Sequence, residues 1–138
     1  EKKAEWRIPA SRVKMKRDHI VPLSKQALAV IAEIKQISGN YEILFPGRKN
    51  IKTPISDVTL IKCLKILGYG ETPTPHGMRA TASTILNENS FPSDHIEMQL
   101  AHVERNKIRA AYNRALYLEE RRTMMQWWGD YLQKAGMK

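Results

Sequence analysis

Apolar positions recur at helical spacing soon after the start of the chain. Leu23, Ala27, Val30, Ile31, Ile34 and Ile37 predict a helix over 24–37 whose apolar side faces a core, with Ser24 as its cap and Gly39 as its stop. Before it, EWRIPA (5–10) and DHIVP (18–22) read as short strands joined by the basic loop SRVKMKR. Tyr41–Phe45 is a third β-prone run, stopped by Pro46-Gly47 and followed by the basic loop RKNIK. A second helix is predicted over 56–67, with Ser56 as N-cap, Leu60, Ile61, Leu64 and Leu67 on one side, and Gly68 beyond its end. The breaker GYGETPTP precedes a third helix from His76 to about Asn89, in which Met78, Ala82, Ile85 and Leu86 should pack inward. A short helix follows Ser93-Asp94, another is predicted over 104–115 and a last one over 117–134. Two or three strands followed by mostly helices make an α+β class, mainly helical. The chain has no internal repeat and no low-complexity segment.

Composition sharpens this picture in three ways. The 138 residues, 42% hydrophobic and 27% charged, suit one globular domain rather than a disordered or fibrous chain. Twenty-three Lys and Arg against 14 Asp and Glu leave a net charge of +9, which favours a polyanionic partner, most often nucleic acid. That charge is interleaved with apolar residues, as on a basic face of a packed domain, although a solvated basic surface without a partner has the same composition. No apolar run approaches the ~18 residues of a membrane span, so no membrane role is expected. The N-terminal EKKAEWRIPASR lacks a signal-peptide core and does not begin with Met, so the chain is expected to be a piece of something longer. The single cysteine, Cys63, leaves no multi-cysteine zinc site and suits a reducing cytosol.

Candidate chemistry concentrates in the second half. His76, Arg79 and Ser83 fall on one face of the third helix, where three- and four-residue spacing brings side chains together. An imidazole and a planar guanidinium on one turn can hold a phosphate, helped by the positive end of a helix that starts at Pro75. Taken alone the pair also fits an ordinary helix surface. His102 ends the next helix, and Tyr112 shares a stripe with Arg105, Ile108 and Arg109. Two arginines beside a tyrosine favour its ionised form, although a half-buried packing tyrosine has the same pattern.

The order of these pieces is more specific than any one of them. His76-Gly77-Met78-Arg79, Leu100-Ala101-His102 and Ala111-Tyr112-Asn113-Arg114 resemble the His-x-x-Arg, His and nucleophilic Tyr boxes of tyrosine recombinases. The texture of WRIPASRVKMKRDHIVPLS and AAYNRALYLEERRTMMQWW is similar to phage P4-type integrases, and the resemblance covers essentially the whole chain. It implies a catalytic-domain fold with a small antiparallel sheet on the N-terminal side and a helical remainder. It also implies site-specific recombination through a 3′-phosphotyrosyl DNA intermediate, without metal, ATP or other cofactor, on double-stranded attachment sites. The full-length protein is expected to work as a homo-tetramer on DNA in the bacterial cytoplasm, associated with the nucleoid.

By the same resemblance, the catalytic set is Lys14, His76, Arg79, His102 and Tyr112, with Lys16 the alternative to Lys14. Lys16, Arg17, Arg105 and Arg109 would contact DNA, and His19 is most simply structural. One departure stands out: the family's first catalytic arginine precedes the strand-loop-strand unit, and only EKKAE stands there in this chain. Residues 1–138 are therefore expected to be the C-terminal part of the catalytic domain, without the upstream arginine segment or the DNA-binding domains. The rival expectation is a non-catalytic DNA-binding module derived from a recombinase.

Overall fold

A computed structural model describes residues 4–13, 16–39, 41–69, 74–102 and 116–136. They divide into two compact units, one made of Glu1–Leu28 with Ala82–Lys138 and the other of Ala29–Thr81.

In the first unit, β1 (Glu5–Ile8) pairs antiparallel with β2 (His19–Pro22), in a register that sets Glu5 opposite Pro22 and Ile8 opposite His19. The first strand is shorter than EWRIPA predicts. Pro9 has no N–H to donate to a ladder, and Ala10–Arg12 wind into a 3-10 turn instead. Asp18 Oδ1 accepts the Ala10 N–H at 2.9 Å and draws the connection together.

Helix α1 (Lys25–Ser38) starts in this unit, where the Ser24 hydroxyl accepts the Ala27 N–H at 3.2 Å, as an N-cap should. The unit also holds the second half of α3 (Pro75–Glu88), all of α4 (Ser93–Gln99) and α5 (Leu118–Lys134). Its core is Leu86 of α3, Ile96 of α4 and Met124 of α5, ringed by Phe91, Leu100, Met125, Trp127 and Trp128. The rings of Phe91 and Trp127 meet edge to face at 5.1 Å, an arrangement favoured by the ring quadrupoles. At Gly129, α5 runs so close to the start of α1 that an added Cβ would lie 2.8 Å from Ser24 Oγ.

The second unit contains the rest of α1, a turn-rich loop, α2 (Asp57–Ile66) and the first turns of α3. Tyr41–Phe45 does not form the expected strand. A single bridge joins Pro46 to Pro54, flanked by Gly47 N–H to the Thr53 carbonyl at 2.7 Å and Ile55 N–H to the Phe45 carbonyl at 3.0 Å. Two opposed prolines remove the donors that would extend the ladder. Helix α2 ends where expected, with Gly68 at φ 86° just past it, a conformation that suits glycine. Ser56 occupies the N-cap position of α2 but makes no side-chain cap to the backbone, its hydroxyl lying 3.1 Å from that of Thr59.

Several apolar positions expected in a core are instead exposed. Val30 and Ile37 of α1, Leu60 and Ile61 of α2, Leu67 just past it, and Met78 of α3 all lie open, Ile37 at 88% exposure. Among the described residues, no helix is long and apolar enough to cross a membrane.

Candidate functional site

Helix α3 begins as its sequence dictates. Pro75 takes the first helical position, where a missing N–H is harmless, and the Thr74 hydroxyl accepts the Gly77 N–H at 3.0 Å. This fixes the first turn, so that His76 and Arg79, three residues apart, stand side by side on the helix surface. Both are exposed.

His102 is held by a different device. Helix α4 closes with the Ala101 N–H on the Met98 carbonyl at 3.2 Å and the His102 N–H on the Glu97 carbonyl at 3.0 Å. Together these bonds make a Schellman motif, with Ala101 at φ 53° in the left-handed position that glycine usually takes. The turn brings the His102 ring back over the helix end, where Nδ1 lies 2.6 Å from Glu97 Oε2. A carboxylate at Nδ1 fixes the ring's orientation and leaves Nε2 as the free edge. Both side chains are about half exposed, 45% for His102 and 52% for Glu97.

Of the basic loop, Lys16 and Arg17 lie in an exposed turn, with Lys16 at φ 51° and its N–H on the Val13 carbonyl at 3.0 Å. Lys14, Arg105, Arg109 and Tyr112, and the helix expected over 104–115, fall outside the described residues. The structure thus brings His76 together with Arg79 in one unit, while His102, Lys16 and Arg17 belong to the other.

Three further residues around these positions escape a reading of the sequence. Glu97 is one, because its contact with His102 spans five residues and arises from the helix-ending turn rather than from helical spacing. Arg121 and Gln99 are the others. The Arg121 side chain is 1% exposed. Its Nε and Nη2 donate to Gln99 Oε1 at 2.9 and 2.7 Å, Nη2 also to the Ile20 carbonyl at 2.6 Å, and Nη1 to the Leu116 carbonyl at 3.1 Å. Burial lowers its pKa to about 10, which still leaves it a cation at neutral pH. His19 is buried as well, with Nε2 3.3 Å from the Gln99 carbonyl, in keeping with a structural role.

Among the described residues, no group of three or more His, Cys, Asp or Glu is placed to hold a metal ion.

Residues 2–119 match the phage integrase family. The chain is 51% identical over 132 residues to the prophage integrase IntA of Escherichia coli K12, a stretch covering 96% of this chain and 32% of that relative. Against the integrase of Enterobacteria phage P4 the identity is 46% over 147 residues, covering 94% and 33% of the two chains. The integrase of Shigella phage Sf6 is 40% identical over 126 residues, covering 91% and 33%. The chain therefore spans about a third of the length of these curated relatives. No solved structure matches it significantly. With a family match running through both histidine boxes and the tyrosine box, the chain belongs to the phage integrase family.

Proposed function

We propose that residues 1–138 are the C-terminal part of the catalytic domain of a tyrosine-type recombinase that integrates and excises DNA at specific sites. The observation that carries this reading is the ordered set His76-x-x-Arg79, His102 and Tyr112 within a member of the phage integrase family. The presentation of His102, its ring turned by the Schellman motif and held by Glu97, supports it.

In this reading each of the four side chains has a role in one reaction at a DNA phosphate. The Tyr112 hydroxyl attacks phosphorus, forming a 3′-phosphotyrosyl bond while the bond from phosphorus to the 5′-oxygen breaks. His76 takes the phenol proton, and Lys14 delivers a proton to the leaving 5′-oxygen. Arg79 and His102 donate hydrogen bonds to the non-bridging oxygens, where charge gathers in the transition state. The phosphodiester energy is kept in the protein–DNA bond, so the reverse attack by a different 5′-hydroxyl rejoins strands. A second arginine, upstream of Glu1 in the longer protein, completes the clamp, and four protomers act together on paired attachment sites.

The test is a nicked suicide DNA substrate carrying the attachment site, mixed with the full-length recombinase. A covalent protein–DNA adduct should form and should disappear in Tyr112→Phe. DNA binding without any adduct would instead make the domain a non-catalytic binding module. An adduct that survives Tyr112→Phe would move the nucleophile elsewhere, with Tyr117 the next tyrosine in sequence.

A further inference from the structure

Arg121 sits on α5, outside all three boxes, yet its guanidinium reaches three separate parts of the first unit. The Ile20 carbonyl belongs to β2, the strand that follows Lys16 and Arg17. Gln99 is the last residue of α4, three before His102, and its own carbonyl lies 3.3 Å from His19 Nε2. Leu116 lies four residues after Tyr112 and just before Tyr117, which adopts φ 46° and has its ring 4.7 Å from that of His95 on α4. One buried side chain therefore tethers the roots of the basic loop, the His102 turn and the segment that leads out of the tyrosine box.

We propose that Arg121, together with Gln99, is a positioning residue for strand cleavage, fixing the relative placement of these three segments without itself touching DNA.

The chemistry of the pair favours this role over simple stabilisation. The described partners of Arg121 are all neutral, two carbonyls and one amide oxygen. A buried charge whose described partners are all dipoles is a poor way to gain stability, and an apolar side chain of similar volume generally serves that end as well or better. What an apolar side chain cannot do is set direction. A guanidinium is a rigid planar fork with five donors, so three acceptors bound to it are fixed in one plane at set angles. Gln99 takes two of those donors on a single oxygen, at 2.9 and 2.7 Å, which locks the fork against the end of α4. Phosphoryl transfer is sensitive to such placement, and a misplacement of about 1 Å lowers rates roughly 10²-fold.

The inference rests on the recombinase reading and is tested in the same full-length protein. Arg121→Lys keeps the charge but not the fork, and Gln99→Met keeps the side-chain length but not the acceptor. Adduct formation is followed in single turnover at saturating suicide DNA, normalised to folded protein, alongside non-covalent DNA affinity. Each variant should form adduct roughly 10–100-fold more slowly, with affinity within about threefold of the parent. The double variant should be no slower than the worse single one, as for two residues acting as a unit. Unchanged adduct rates in either folded variant, or fully additive losses in the double, would overturn the positioning role. If Arg121→Lys does not fold, Gln99→Met alone carries the test. Absence of any Tyr112-dependent adduct in the parent overturns the recombinase reading, and this proposal with it. Intact parent activity with unaffected variants overturns the proposal alone.

Discussion

Ala101 holds a backbone conformation that an L-residue with a Cβ adopts at a penalty of about 1–2 kcal/mol. The helix-ending bonds around it recover that strain by presenting His102. Ala101→Gly should therefore raise stability by up to about 1 kcal/mol, less the extra unfolded-state freedom of glycine. A higher urea midpoint at unchanged slope would register the gain. Glu97→Ala acts on the same residue from the other side. Without its partner at Nδ1 the His102 ring is free to turn, and adduct formation by the full-length protein should slow roughly tenfold or more. The box histidine and its helix are legible in the sequence, but its partner is not, because the contact with Glu97 depends on the left-handed turn at Ala101. Arg121 is hidden for another reason. Its neighbours Glu119, Glu120 and Arg122 read as a solvated face, and only its three- and seven-residue spacing from Met124 and Trp128 marks it as belonging to the buried side.

Helix α5 meets the start of α1 through backbone as well as side chains. The Lys25 N–H donates to Gln126 Oε1 at 3.0 Å, and Asp130 Oδ1 accepts from Gln26 and Gln126 at 2.7 and 2.9 Å. Gly129 makes this approach possible, so Gly129→Ala pits a helix-propensity gain of about 1 kcal/mol against a steric clash with Ser24. Ser24 is buried, and overpacking of that kind costs about 1–3 kcal/mol. The clash should win, lowering the melting temperature. The hydrogen bonds from Gln26 and then Gln126 hold the Asp130 carboxyl below its ordinary value of 3.8. A carboxylate with a depressed folded pKa adds stability that is present above 3.8 and fades as pH falls further. Asp130→Asn should thus be less stable than the parent near neutrality, and the difference should shrink below that pH, as followed by tryptophan fluorescence in urea. Most of the elements themselves are legible in the sequence: β2, α1, α2, α3 and α5 lie within a residue or two of their expected bounds, while α4 ends at Gln99, three residues before the expected end at His102. Periodicity could not say which side of a stripe meets a core, and Val30, Ile37 and Met78 show an apolar face left open. Nor could it weigh Pro46 against Pro54, whose missing donors stop the strand expected at Tyr41–Phe45.

A net charge of +9 dominates how the whole chain should meet DNA. Residues 1–138 alone should bind duplex DNA weakly and without sequence preference, with affinity falling steeply and linearly on a logarithmic salt scale. Replacing both Lys16 and Arg17 with alanine should reduce that slope by about 0.9 for each phosphate no longer neutralised, equally on any sequence. On the proposed mechanism, which puts a second clamp arginine outside residues 1–138, these residues alone should cleave poorly, since one donor fewer lowers rates on the order of 10²–10³. Supplying the upstream segment in the same polypeptide should recover a Tyr112-dependent adduct, measured on the suicide substrate. The first unit is assembled from two distant stretches, Glu1–Leu28 and Ala82–Lys138, and this has a consequence for how the protein is made. The β1–β2 hairpin is complete at Pro22, and α5 begins at Leu118, 118 − 22 = 96 residues later. At about 5–20 residues per second, the ribosome leaves the hairpin waiting for roughly 5–20 s before its covering helix exists. A lone two-stranded hairpin is marginal in water, so the segment should stay open until α5 has been made. A chain released before Leu118 would carry it unprotected, as a target for proteolysis.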